Sequence, residues 1–293
     1  MAEEDVADRS LKMHDGRMIA WTDFGPQEGV PLLRFPGVPG SRWVIRADRA
    51  PWLERSLRVI TSERPGFGRS SRLPGRGFAE HADDMAFLLD HLGLDRVYVC
   101  GASGGSPHLL AFAARHRDRV RAVTVIAGAA RLEEADVDAM IPLNQRGYEL
   151  AAAGDVAGLR ALLDPVAESM IADPLAAFMS VMATAPPEDQ AVMADPGWQQ
   201  TLVKGVRESL SGGIDGWVDE CLALFGSWDD FELEAVAASL TWYHTAHDRN
   251  VPIAAARRLV DELPNATFVE WADGGHLAAY HREGEILDEL LGR

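Results

Sequence analysis

Cysteine is nearly absent from this chain of 293 residues: Cys100 and Cys221 stand alone. Two thiols so far apart make neither a disulfide framework nor a zinc spacing, so both read as buried free cysteines. Lysine is equally scarce, with only Lys12 and Lys204, and the basic side chains are otherwise arginine. With an alanine-rich composition, that usage points to a GC-rich bacterial genome. A basic excess is also missing. The formal charge is −17, the wrong sign for a chain that must displace counterions from a phosphate backbone, so nucleic acid is not an expected partner. No uninterrupted apolar run approaches the roughly 18 residues of a membrane span, and MAEEDVADRSLKMHDG is acidic where a secretory leader is basic and then apolar. A cytoplasmic protein with no membrane contact is the expectation.

What is present is a large apolar fraction, 47%, enough to bury a sizeable core. The charge is unevenly spread. From Arg131 to Ser239 there are 20 acidic and 5 basic residues, a net −15, which leaves −2 for the rest of the chain. Such segregation marks the central block as a structural unit of its own, its acids read most simply as a solvated face.

Runs rich in β-branched residues and bounded by turn signals predict strands at Arg17–Phe24, Pro31–Phe35, Arg58–Glu63, Arg96–Gly101, Val120–Ala127, Leu240–Ala246 and Ala266–Trp271. Helical periodicity falls between them, at Phe78–Leu92, Gly104–His116, Ile253–Leu263 and Gly284–Leu291. That alternation calls for an α/β fold, a mainly parallel central sheet flanked by helices. Between Leu132 and Ala238 the strand pattern stops and helical spacing takes over. Breaks at Asp164-Pro165, Asp173-Pro174, Pro186-Pro187 and Asp195-Pro196 predict four or five helices there. The chain thus divides into a core, residues 1–130 and 240–293, and an all-helical insertion, residues 131–239, lying before the last two strands.

VYVCGASGGSPHLLAFAARH (97–116) carries the chemistry. Gly101-Ala102-Ser103-Gly104-Gly105 is G-x-S-x-G between a strand and a helix, at the carboxyl end of a parallel strand where reactive groups gather. Glycine at 101 and 105 removes side chains that would collide in so tight a turn. The Gly104 N–H then sits at a helix start, favourable for a developing oxyanion. Read by itself the pentapeptide also fits a glycine-rich turn, and a serine needs a base. Of nine histidines, His276 in EWADGGHLAAY follows the last strand, and Asp248 in TWYHTAHDRNVP follows the one before it. Ser103, Asp248 and His276 in that order make a nucleophile, an orienting acid and a general base. A metal site on His244, His247 and Asp248 is the competing reading; His244 belongs to a strand, where three-residue spacing turns side chains to opposite faces. His108 reads as packing or hydrogen bonding on the helix after Ser103, while His14, His81, His91, His116 and His281 read as surface residues.

With LLRFPGVPGSR (32–42) and SERPGFGRSS (62–71), these stretches resemble the α/β-hydrolase fold superfamily, in its serine-nucleophile branch with a helical cap. The first loop is similar to H-G-x-P-G-S-R, the second to D-x-P-G-x-G-x-S. The resemblance implies that the Val38 N–H joins that of Gly104 in an oxyanion hole, and that 131–239 is the cap. Pro36 stands where the family usually has histidine, Glu63 where it has aspartate, and Thr245 where glycine is common. A serine at the elbow cannot serve the alkyl-ester chemistry of the dehalogenase and epoxide-hydrolase branches, which leaves acyl chemistry. The expectation is an esterase or lactonase acting on a small molecule with an apolar acyl part, without cofactor or metal. Alternatives are a proline-iminopeptidase-like aminopeptidase, whose cap carboxylates would grip an amine, a cofactor-free perhydrolase, and a hydrolase-like ligand-binding protein. Met140, Met170, Met179, Met182, Met193, Phe178, Trp198, Trp217, Phe225 and Trp228 are expected mostly to pack the cap, with a subset lining the acyl pocket.

Overall fold

The computed structural model describes residues 6–293. Eight strands form one sheet: β1 (Val6–Lys12), β2 (Met18–Phe24), β3 (Val30–Phe35), β4 (Leu57–Ser62), β5 (Val97–Ala102), β6 (Val120–Ile126), β7 (Leu240–Thr245) and β8 (Ala266–Trp271). Their spatial order is β1-β2-β4-β3-β5-β6-β7-β8; β2 runs antiparallel to β1 and β4, and every pair from β4 to β8 is parallel. Seven of these strands match the expected runs to within a residue or two. β1 does not appear among those runs, because its middle, Asp8-Arg9-Ser10, is polar and mostly exposed on the sheet edge.

Alternate residues of the central strands feed two cores, as the two-residue period of a strand requires. Leu33 and Val99 pack with α1 (Ala79–Leu92) and α2 (Ser106–Arg115) on one face; Leu32 and Cys100 pack with Trp52 and the C-terminal helix on the other. Between β6 and β7 lie six helices of seven residues or more: α3 (Pro142–Ala152), α4 (Val156–Ala172), α5 (Pro174–Val181), α6 (Pro187–Met193), α7 (Pro196–Ser209) and α8 (Asp215–Leu224). After β7 come α9 (Ile253–Asp261) and α10 (Glu283–Leu291).

The Asp-Pro steps behave in two ways. Asp173 and Asp195 are N-caps, accepting from the backbone N–H of Ala176 and Trp198, with proline at the first helical position behind each. Asp164-Pro165, expected to separate helices, instead lies inside α4. Pro165 leaves the Ala161 carbonyl without its usual donor, but Leu159, Leu163, Ala167 and Met170 are buried along the same helix. Burial of that stripe outweighs one missing hydrogen bond. Both cysteines are free and buried, and burial pushes the Cys100 thiol up to about 11 and that of Cys221 to about 12. Among the described residues no helix is long and apolar enough to cross a membrane.

Candidate active site

Ser103 follows β5 directly, with a backbone φ of 51°, in the left-handed region that a residue with a side chain enters at a cost of about 1–3 kcal/mol. The surroundings hold it there. Its carbonyl accepts from the Ala129 N–H at 2.9 Å and lies 2.9 Å from the Ser106 hydroxyl. Gly101 and Gly105 have the expected steric role, against particular neighbours. A Cβ at 101 would stand 2.8 Å from Leu109 and 3.2 Å from the Phe35 Cβ, and one at 105 would overlap the carbonyl oxygens of Phe35 and Pro36. Gly104 faces Val38, whose Cγ2 is 2.5 Å from where a Cβ would be.

His276 and Asp248, 28 residues apart in sequence, meet through Nδ1 and Oδ2 at 2.8 Å. The other Asp248 oxygen accepts from the N–H groups of Asn250 (2.8 Å) and Val251 (3.0 Å). Burial would raise the Asp248 pKa; the charge and hydrogen bond of His276 outweigh it and hold the carboxyl below its ordinary value. Burial would likewise lower His276, and the Asp248 carboxylate reverses that, leaving the imidazole above 6.5. His244 touches the same carboxylate, with Nε2 3.5 Å from Asp248 Oδ2. Its Nδ1 accepts from Trp242 Nε1 (3.2 Å) and its Nε2 donates to the Val251 carbonyl (3.0 Å), so it is a neutral, buried neighbour whose pKa burial lowers. Among the described residues no group of three or more His, Cys, Asp or Glu side chains is arranged to hold a metal ion.

Ser103, Gly104, Val38 and His276 line one cavity of about 340 Å³, with Asp248 behind the imidazole. Helices α4, α5, α7 and α8 supply much of its wall through Met170, Phe178, Trp198, Trp217 and Cys221, with Phe225 just beyond α8. Of the ten cap methionines and aromatics, seven line it, more than the expected subset. Met193 packs beside Trp198 in a separate cluster, Met179 is half exposed, and Trp228 joins Phe78 in the sheet core. No Asp, Glu, Lys or Arg is among the cavity residues; the polar side chains there are Ser103, Asn144, Thr201, Asn250 and His276.

Pro36 stands in the loop before Val38 where the histidine is usual, and Arg64 is bonded to the backbone there. Its guanidinium donates to the carbonyls of Pro36 (2.5 Å) and Gly37 (2.8 Å). Arg64 is fully buried, and its Nε lies 3.4 Å from Glu220 of α8. The same carboxylate pairs with Arg76 and accepts from His108 Nε2 at 2.9 Å. His81, expected at the surface, is buried against His108 with ring centroids 4.9 Å apart. Burial drives both imidazoles down, His108 to about 4 and His81 well below its ordinary value. His108 is thus a hydrogen-bonding residue, as its helix position implied. Glu63 is buried too: it pairs with Arg42 and accepts from the Arg69 N–H at 2.8 Å, tucked under Gly68.

A family model for the alpha/beta hydrolase fold matches residues 30–282. The chain belongs to the α/β-hydrolase fold family. It is 24% identical over 286 residues to 2-hydroxy-6-oxononadienedioate/2-hydroxy-6-oxononatrienedioate hydrolase 2 of Pseudomonas putida, covering 94% of this chain and 92% of that one. Among solved structures, an esterase from Exiguobacterium antarcticum superposes with TM-score 0.67 at 16% identity over 98% of both chains. The enol-lactonase of Burkholderia xenovorans LB400 superposes with TM-score 0.63 at 19% identity over 97% of this chain and all of the other. The protein is a hydrolase of this family.

Proposed function

We propose that this hydrolase cleaves a neutral carboxylic ester or lactone with an apolar acyl part through an acyl-enzyme on Ser103, under a lid formed by residues 131–239. One observation carries the reading. A serine held in a left-handed turn opens into a cavity free of charged side chains that also holds an imidazole bonded to a buried carboxylate. With Nδ1 engaged by Asp248, Nε2 is the ring nitrogen left to take the Ser103 proton as the hydroxyl attacks the carbonyl. The N–H groups of Gly104 and Val38 receive the oxyanion, helped by the helix start that follows the turn. His276 then returns its proton to the leaving alkoxide, and a water activated by the same nitrogen releases the acid. These steps use only the chain's own groups and water.

The uncharged wall supports a neutral substrate. An aminopeptidase would need a carboxylate to hold the substrate ammonium, and the Pseudomonas relative's name denotes a substrate with two carboxylates, which would call for cationic partners. Neither charge has a partner on the cavity wall. The names of the esterase and enol-lactonase neighbours accord with ester or lactone cleavage.

Intact mass after incubation with a fluorophosphonate tests the reading. A single adduct on the wild type and none on Ser103→Ala is the expected result; equal labelling of both would overturn it. A panel of p-nitrophenyl esters then compares uncharged with acidic acyl groups, and a preference for the acidic ones would refute the neutral-substrate assignment.

A further inference from the structure

We infer that Asp189, on helix α6 of the insertion, is a positioning residue for His276, fixing from the cap side the loop that carries the imidazole. The inference rests on His276 acting as the base of the proposed reaction. Asp189 is 0% exposed, and its two oxygens go to the two backbone N–H groups that flank the histidine: Oδ1 accepts from Gly275 at 2.9 Å and Oδ2 from Leu277 at 3.2 Å. The pairing needs glycine beside the histidine, since a Cβ at Gly275 would stand 2.7 Å from Oδ2 and 2.8 Å from Pro186. A loop between β8 and α10 is by itself free to shift, and a carboxylate straddling one residue leaves that residue little room to move. Asp248 fixes the ring at Nδ1; Asp189 fixes the backbone beneath it.

The same carboxylate is a second negative charge near the imidazole. The groups facing His276 and its loop are Asp248 and His244 from the β7 end, Asp189 and Glu188 from α6, His247 and Arg249 around the small void between loop and insertion, and the Asp273–Arg282 pair on the loop itself. Asp189 adds to Asp248 in raising the imidazole pKa. A structural brace alone would leave that value in place, so a pH profile separates the two roles.

The test is the rate of fluorophosphonate labelling between pH 5 and 9 for the wild type, His276→Ala and Asp189→Asn. The near-isosteric asparagine keeps one acceptor and turns the other oxygen into a donor facing an N–H. We expect labelling slower by between about 10- and 100-fold and an acid-side midpoint at lower pH than in the wild type, because the imidazolium loses a neighbouring negative charge. A slower variant with an unmoved midpoint marks a merely structural role and overturns the inference, as does a variant with wild-type rate. If His276→Ala labels as fast as the wild type, the proposed function falls and takes this inference with it; a silent His276→Ala beside an unaffected Asp189→Asn refutes this inference alone. Should Asp189→Asn fail to fold, amide hydrogen exchange on the wild type decides. Gly275 and Leu277 are expected to be protected, and exchange at the rate of an open loop overturns the assignment.

Discussion

Replacing Glu220 by glutamine preserves the side chain's shape and removes one negative charge from a place where two buried arginines share it. Arg64 and Arg76 both reach Oε2, while Oε1 accepts from His108. At an effective dielectric of about 20, a unit charge pair at 3.4 Å is worth roughly 5 kcal/mol. Relaxation recovers part of that, and removing one partner of a buried pair typically costs about 3–5 kcal/mol. Turning the amide so that its oxygen meets the arginines restores an acceptor but not the charge. With an unfolding entropy of about 2.1 cal/mol/K per residue, 293 residues give about 0.6 kcal/mol/K, so the melting midpoint should fall by about 5–8 °C. Differential scanning calorimetry reads this directly. The loss should also reach the site, because Arg64 holds the Pro36 and Gly37 carbonyls, and we expect fluorophosphonate labelling to slow about tenfold. Removing Arg76 as well, as R76M/E220Q, restores the cluster's net charge, so the double variant should be less destabilised than the sum of the singles by about 1 kcal/mol or more. A wild-type midpoint in Glu220→Gln, or strictly additive singles, would refute the reasoning.

Two further outcomes follow from the titrating groups. Asp248→Asn leaves His276 free to present the wrong tautomer and should lower ester turnover by up to about four orders of magnitude; unchanged turnover would move the orienting acid elsewhere. His108, with a folded pKa of about 4 against 6.5 when unfolded, binds its proton only in the unfolded chain between those values. It therefore contributes stability that is present above pH 6.5 and is lost as pH falls toward 4. His108→Gln should be less stable than the wild type at neutral pH, and the gap should narrow over that window. A gap that does not change with pH, followed by urea denaturation at pH 7, 6, 5 and 4, would show that His108 is not excluded from protonation in the native state.

The fold was legible in the sequence, and Ser103, Asp248 and His276 stood out as candidates, because their signals are local. Gly101 and Gly105 flank Ser103 within five residues, and the loops holding Asp248 and His276 each follow a strand that its own β-branched residues announce. What the sequence did not disclose depends on partners far apart in the chain. β1 is written in polar residues, and Asp8 at its centre gains a partner only when folding brings Arg42 and Arg69 beside it. His81 reads as a surface residue on an amphipathic helix until His108, Arg64, Arg76 and Glu220 converge on it from four other segments. The missing loop histidine at Pro36 is a local signal, but Arg64, which bonds the Pro36 carbonyl, is 28 residues away at the variable position of its own motif. Pro165 shows the opposite error, a strong local breaker overruled by the apolar stripe of its helix.

The uneven charge is the clearest instance of the same point. Read along the chain, the −15 of residues 131–239 suggests an outward, solvated face. In the fold, several of those acids turn inward to arginines of the sheet domain: Glu208 to Arg42 at 3.0 Å, Asp219 and Asp215 to Arg72 at 2.7 and 2.6 Å, Asp136 to Arg258, and Glu220 to Arg64 and Arg76. Asp230 accepts from the backbone N–H groups at the start of α1, and Asp189 from those beside His276. Each of these carboxylates meets a donor on the other side of the boundary, so the acidity serves to seat the insertion over the carboxyl edge of the sheet. It does so at the rim and behind the walls, while among the described residues the cavity between has no Asp, Glu, Lys or Arg in its lining. Charge that fixes the insertion and an interior without acidic or basic side chains are compatible because Arg42, Arg64, Arg72 and Arg76 approach from the loops after β3 and β4 and Arg258 from α9, and the apolar faces of α4, α7 and α8 are left to line the cavity that holds Ser103.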